Sequence, residues 1–202
     1  MSMRRITCLL AMALPLLGSQ VFAQTPPPVR VRGVIARLEG SLLTVKTREG
    51  STAQITLAPN YSVAAVTNAE LADVRPGAYV GIAALRPAEG PLRAQEVLIF
   101  PESARGSGEG HFPWDLTPES TMTNAAVADV VQSVNGPVLR LSPKGTDVQI
   151  VVPPGVPIVT FGPGDPGLLV PGAAVFFSAT SADGRLSATR ILVGKDGVVP
   201  PM

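Results

Sequence analysis

The side chains best suited to chemistry gather in one short segment near the middle of the chain. Residues 101–123 contain the only histidine and the only tryptophan of the sequence. The candidate ligand-binding residues in this segment are Glu102, Arg105, Glu109, His111, Trp114 and Asp115. We therefore treat the segment as a candidate site as well as a connection between two more regular stretches.

Three interpretations of these residues remain open. His111 with Glu109 and Asp115 offers one nitrogen and two carboxylates, a donor set that could hold a divalent metal ion. Arg105 with the backbone amides of residues 106–110 could instead hold a small anion. In the third interpretation the polar groups bond to one another and to the backbone, and fix the segment in place. We favour this structural role and predict no cofactor, with a divalent metal ion as the alternative.

Catalysis would have to depend on a single histidine. A Ser-His-Asp arrangement needs a histidine, and only His111 exists. The nearby Gly106-Ser107-Gly108 is shorter than the Gly-x-Ser-x-Gly turn that presents a nucleophilic serine. We predict no catalytic residues and no enzyme, with a hydrolase using His111 as a second alternative.

Composition argues against several classes of protein. The 202 residues include 16 Lys+Arg and 15 Asp+Glu, giving a formal net charge of +1. Near-neutral charge disfavours a nucleic-acid partner, because such binding depends on many contacts to phosphates. A single cysteine excludes a disulfide framework. The expected partner is an envelope protein or a small ligand.

The N-terminus has the three-part layout of a secretory signal peptide. Arg4 and Arg5 precede an apolar run over residues 6–17, and Val21 and Ala23 suit a signal-peptidase site. The run is shorter than the ~20 residues that span a bilayer. We predict a signal peptide over residues 1–23, cleavage after Ala23, a periplasmic or secreted mature chain, and no membrane span within it.

The remaining chain repeats itself at an interval of about 95 residues. Pro76-Gly77 aligns with Pro171-Gly172, and Gly90-x-Leu92-x-Ala94 aligns with Gly184-x-Leu186-x-Ala188. Alternating apolar residues and acidic-Gly or Asn-Gly turns predict strands in both copies. The predicted strands are 29–38, 42–47, 53–57, 78–85 and 92–100, then 126–134, 138–141, 147–152, 174–179 and 186–193. Short helical turns are predicted within 68–74 and 165–169.

Three strands, a short helical crossover and two strands form the element order of a small OB-like barrel. We predict an all-β protein of two tandem five-stranded OB-like barrels, each with a short helix. The predicted boundaries are 29–100 for barrel 1, 101–123 for an ordered linker, 124–194 for barrel 2 and 195–202 for a tail. The tail is expected to fray, with a docking peptide as the alternative.

Motifs of the first copy resemble a family of exported bacterial domains of unknown function with OB-like barrels. They include Gly33, Ile35 and Gly40, then Leu71 and Asp73 before Pro76-Gly77, and finally Gly90-x-Leu92-x-Ala94. The whole chain also resembles proteobacterial exported proteins labelled metal ABC transporter permease, although the sequence lacks membrane-spanning segments. The resemblance implies a fold and an exported location, and it implies no catalytic residues.

Overall fold

The computed structural model describes residues 27–200, and these form an all-β protein. The signal peptide predicted over residues 1–23 and the last two residues of the tail lie outside the described residues. The strands are β1 (Val29–Glu39), β2 (Leu42–Thr47), β3 (Thr52–Asn68), β4 (Tyr79–Leu85), β5 (Leu92–Ile99), β6 (Gly110–Pro113), β7 (Thr121–Val131), β8 (Val138–Leu141), β9 (Val148–Val151), β10 (Ile158–Pro163), β11 (Ala174–Ala182) and β12 (Arg185–Gly194).

The first ring of strands is a closed five-stranded barrel with the order β1-β2-β3-β12-β11. All of its pairings are antiparallel except β3 with β12, which is parallel. Alternate residues point inward and fill the interior, among them Ile35, Leu43, Ile55 and Ile191. Burial of this apolar cluster is the main stabilising contribution to the ring.

A second ring of five strands follows the order β7-β8-β9-β5-β4. The β5–β9 pairing that closes it is parallel and involves only the register pairs Leu92 with Ile150 and Arg93 with Val151. Its interior is a separate apolar cluster that includes Ile82, Val97 and Leu139. The two rings therefore have independent cores.

Strand β10 joins the two rings into one continuous sheet. It pairs antiparallel with the end of β3 and parallel with the end of β5. A third apolar cluster forms along this line from Ala64, Val66, Leu98, Val159 and Phe161. We call the region around β10, where the two rings meet, the seam.

Each ring contains strands from both halves of the sequence, which corrects the predicted tandem arrangement. Strands β1–β3 are completed by β11 and β12, and β7–β9 are completed by β4 and β5. The predicted boundaries at 29–100 and 124–194 therefore do not coincide with the two rings. The physical reason lies in β3, which does not stop at Leu57 as predicted but continues to Asn68 and pairs with β10. This extension carries the chain into the other ring before β4 begins.

The local structure agrees well with the sequence patterns at the hairpins. Asp183 and Gly184 have φ angles of 49° and 72°, as a tight turn between β11 and β12 requires. The predicted helical crossovers are single 3₁₀ turns over Leu71–Asp73 and Pro166–Leu168. No helix within residues 27–200 has the length and apolar character needed to cross a membrane.

Candidate functional site

Arg105 and Glu102 form a local ion pair at the start of the connecting segment. The Arg105 Nε lies 2.5 Å from Glu102 Oε1, and Arg105 Nη2 donates to Glu102 Oε2 at 2.7 Å. The same Nη2 donates to the Gly77 carbonyl at 2.9 Å, which links the start of the connecting segment to the residues just before β4. Because its charge faces Glu102, Arg105 is poorly placed for the predicted anion site.

The three predicted metal ligands turn toward different partners. Glu109 Oε1 accepts from the Lys144 backbone N–H, His111 Nδ1 lies 2.8 Å from Thr123 Oγ1, and Asp115 faces β1. Within residues 27–200 no three His, Cys, Asp or Glu side chains come together as a potential metal site. The geometry therefore does not favour the metal alternative.

His111 lies on β6, which pairs with β7. The hydroxyl that contacts its ring, that of Thr123, is not available to a substrate. Thr123 is fully buried, so its hydroxyl cannot attack an external ester or amide. Burial, followed by the nearby positive charge of Arg86, lowers the pKa of His111 below its ordinary value. The imidazole is accordingly neutral near pH 7, and this pair offers no support for the hydrolase alternative.

The second part of the segment is clamped onto β1. The guanidinium of Arg30 lies 3.8 Å from the centroid of the Trp114 ring, and Phe112 contacts that ring edge-on at 6.0 Å. Asp115 accepts from Arg32 Nη2 at 2.7 Å and lies 3.3 Å from Arg30 Nη1. Cation–π and charge-assisted contacts of this kind fix side-chain geometry. We call Arg30, Arg32, Trp114 and Asp115 the clamp.

A loop over residues 114–120 holds the clamp against β5. The backbone N–H of Trp114 donates to the Ser120 carbonyl at 2.7 Å, and the buried Ser120 hydroxyl lies within hydrogen-bond distance of two carbonyls of the same loop. Thr117 Oγ1 donates to Gln95 Oε1 on β5 at 3.1 Å. These bonds position Leu116, the residue between the clamp and Thr117, over the first ring.

Beneath Leu116 lies a cavity of about 450 Å³ between the first ring and Glu96 of β5, which we call the seam cavity although no residue of β10 lines it. Its apolar wall is formed by Val34 on β1, Val175 on β11, Leu116 and Val199. Val34 is 43% exposed and Val199 is 73% exposed, so the apolar wall is open to solvent rather than sealed in a core. The volume falls in the range of small-molecule pockets.

The C-terminal residues close one side of the seam cavity. Gly194 passes so close to the Val198 carbonyl that a Cβ atom could not fit there, and the Lys195 N–H donates to the Val66 carbonyl at 2.9 Å. Pro200 is buried and lines the cavity. The tail therefore contacts the fold through the Lys195 backbone, Val198 and Pro200, while residues 196, 197 and 199 stay exposed; the sequence favours a frayed tail instead.

Charged groups surround the apolar wall. Arg32, Lys46, Arg48 and the buried Glu96 all line the cavity. Arg32 and Glu96 have partners within the protein, and Arg48 lies 3.5 Å from Glu49. Lys46 is exposed and has no ion-pair partner within the described part of the chain. The rim thus presents Lys46 as a cation available to a ligand.

None of the six predicted ligand-binding residues lines this cavity; Trp114 and Asp115 reach it only through their contacts with Arg32, which does. Sequence reasoning missed Val34, Lys46 and the tail. A signal was present at Val34, where an apolar residue follows Gly33 and breaks the alternation of β1. The tail gave no comparable signal, because its position depends on how β12 ends against β3.

Comparisons with protein-family models, with curated proteins and with solved structures each found no match to this chain.

Proposed function

We propose that the protein is an exported, non-enzymatic binding module of the cell envelope that holds an amphipathic anion in the seam cavity. The expected ligand has an apolar body and a carboxylate or similar anionic group. The observation that carries the proposal is an open, apolar cavity of about 450 Å³ with Lys46 at its rim, a lysine without an ion-pair partner among residues 27–200. The clamp and the tail then serve as walls that hold the cavity in shape.

We further propose that both rings are OB-like barrels related by duplication, with their last two strands exchanged. Support comes from the strand order, with the strands of the first ring numbered in the order β1, β2, β3, β11, β12 and those of the second in the order β7, β8, β9, β4, β5. In each ring the first strand then lies between the second and the fourth, and the third pairs in parallel with the fifth. Fold alone does not assign a ligand, since OB-like barrels carry many functions. The residues that line the seam cavity indicate the class of ligand instead.

The chemistry of the wall and rim selects an amphipathic anion over other ligands. Val34, Leu116 and Val199 would be desolvated by an apolar body, which favours binding by about 25 cal/mol per Å² of apolar surface buried. Lys46 would meet the anionic group at the rim, where an exposed ion pair adds about 0.2–1 kcal/mol. Apolar contact therefore supplies most of the affinity, and Lys46 supplies selectivity for charge.

Calorimetric titration with sodium decanoate tests the proposal. We expect saturable binding to the full chain, weaker binding of decyltrimethylammonium, and a loss of about two- to fivefold in decanoate affinity in Lys46→Ala. Val34→Glu should abolish binding because it places a like charge on the cavity wall. A matched control is Val170→Glu, since Val170 is 50% exposed and does not line the cavity.

Absence of decanoate binding would overturn the proposal. Equal loss of affinity in Val34→Glu and Val170→Glu would also overturn it, because the effect would then be independent of the seam cavity. Circular dichroism of each variant separates loss of binding from loss of folding.

Export is proposed from the signal-peptide pattern of residues 1–23. Expression of the full chain in a Gram-negative host should place the protein in the periplasm with Gln24 as its first residue. The mature protein would then lack the only cysteine, Cys8, and would not react with a maleimide. A cytoplasmic protein that retains a reactive thiol would contradict the prediction.

A further inference from the structure

A second cavity, separate from the seam cavity, has a different chemistry. Its volume is about 520 Å³, and it lies between the β4–β5 turn and the start of β9, with β6 alongside. Its polar lining residues are Arg86, His111, Thr146, Asp147 and Gln149, and Pro91 contributes an apolar surface. We call it the His111 cleft.

Two of the polar groups are held in position by neighbours behind them. His111 Nδ1 lies 2.8 Å from the hydroxyl of the buried Thr123, so the ring is oriented and Nε2 is its other polar atom. The Ser142 hydroxyl donates to Asp147 Oδ1 at 2.8 Å. A site that binds polar ligands requires this kind of support, because ordering a side chain on binding costs entropy.

The other polar groups retain free hydrogen-bonding capacity. Within residues 27–200, the side chains of Arg86, Thr146 and Gln149 make no hydrogen bond or ion pair with another side chain or with the backbone. Arg86 donates only, Asp147 accepts only, and the side chains of His111, Thr146 and Gln149 can do both. The cleft thus contains both donors and acceptors.

Charge in the cleft selects against ionic ligands. Arg86 and Asp147 have opposite charges, and His111 is neutral near pH 7 because burial and Arg86 lower its pKa. A simple anion would meet the Asp147 carboxylate, and a metal ion would find too few ligands, since no three His, Cys, Asp or Glu side chains cluster in the described residues. A neutral ligand with many hydroxyl groups fits, because each hydroxyl both donates and accepts.

We propose that the His111 cleft binds a neutral oligosaccharide, with its hydroxyls bridging Asp147, Gln149 and His111 and one sugar face resting on Pro91. This site is independent of the amphipathic anion proposed for the seam cavity. The two proposals can therefore fail separately.

The single histidine of the chain makes a direct test possible. Imidazole NMR signals of the full chain are followed during separate titrations with maltotriose, cellotriose and tri-N-acetylchitotriose. We expect at least one of the three to shift the His111 signals saturably. Gln149→Ala and Asp147→Asn should each weaken that affinity about fivefold, the effect of one lost hydrogen bond near 1 kcal/mol.

The control variant is Gln132→Ala, because Gln132 is also an exposed glutamine but lies outside the cleft. It should bind the sugar as the wild type does. The proposal is overturned if none of the three trisaccharides shifts the His111 signals. It is also overturned if Gln149→Ala and Asp147→Asn bind with unchanged affinity, since the shifts would then arise elsewhere.

Discussion

At the scale of residues, the clamp shows how a connecting segment becomes part of a site. Trp114 and Asp115 are both bound by arginines of β1, and the same loop sets Leu116 over the seam cavity. The presence of Phe112, Trp114 and Leu116 in the segment predicts docking on a barrel from sequence alone. Arg30 and Arg32 could not be predicted as their partners, because they lie more than 80 positions earlier in the chain.

The ion pairs of Asp115 predict a dependence of stability on pH. Partial burial opposes the charged carboxylate, but hydrogen bonds and charges from Arg32 and Arg30 outweigh it and hold the pKa of Asp115 below its ordinary value. A depressed pKa stabilises the fold above the unfolded pKa, and this contribution is lost as pH falls through the folded value. Asp115→Asn should therefore cost about 1 kcal/mol of unfolding free energy at pH 7, and the difference should shrink below about pH 4.

Urea unfolding at several pH values measures this difference. Asp129→Asn serves as a control, because Asp129 lies 3.9 Å from Arg140 and both side chains are more than half exposed. A difference between wild type and Asp115→Asn that stays constant down to pH 3 would contradict the predicted role of the charge.

At the scale of elements, two close approaches of backbone determine how strands meet at the seam cavity. Gly33 on β1 faces the carbonyl of Lys46 on β2 so closely that a Cβ atom would overlap it, and Gly194 has the same relation to Val198. The turns flanking β2 were predictable from their Gly residues, whereas these contacts were not. They depend on strand separation, which sequence patterns do not reveal.

Strand β3 illustrates a second limit of sequence reasoning. The apolar alternation stops at Pro59-Asn60, which is typical of a loop, so the predicted strand ended at Leu57. In the structure β3 continues because β10 and β12 pair with its second half. Strands β6 and β10 were missed because each contains Gly and Pro. β10 is also ordered by β3 and β5, which are distant in sequence, whereas β6 pairs with the nearby β7.

Substitution of Gly33 tests the packing of β1 on β2. Gly33→Ala should lower the unfolding free energy by about 2–3 kcal/mol, because the added Cβ forces the two strands apart. Gly162→Ala on β10 is the matched control, since its Cβ would meet no atom within 4 Å and its φ is not in the left-handed region. Chemical denaturation of both variants measures the effect, and equal stability of the two would refute the predicted overlap.

At the scale of the whole molecule, the exchange of strands makes the two halves of the chain interdependent. The strand order of a closed five-stranded ring can be completed either within one half or across both, and corresponding strands of the two halves have similar apolar patterns. Sequence reasoning could therefore predict a ring of five strands but not which strands of the chain form each ring. The strands that form each ring are determined by the extended β3 and by β10. Because of these two strands, β4 and β5 join β7–β9, and β11 and β12 join β1–β3.

This interdependence predicts a single unfolding transition. Leu43→Ala and Leu139→Ala each empty part of one core, and both residues are fully buried. Each variant should lose about 2–5 kcal/mol of stability. Each should also shift the whole transition, because neither ring can form without strands from both halves. Two transitions in calorimetry, with each substitution affecting only one of them, would indicate independent barrels.

The most direct test of the exchanged strands, on which the seam cavity depends, is an NMR measurement of which strands are neighbours. We expect cross-strand nuclear Overhauser effects between Val31 and Phe177 and between Val80 and Ala125, linking β1 to β11 and β4 to β7. Contacts linking β1 to β4 and β7 to β11 instead would show that each half closes its own barrel, and would contradict the account.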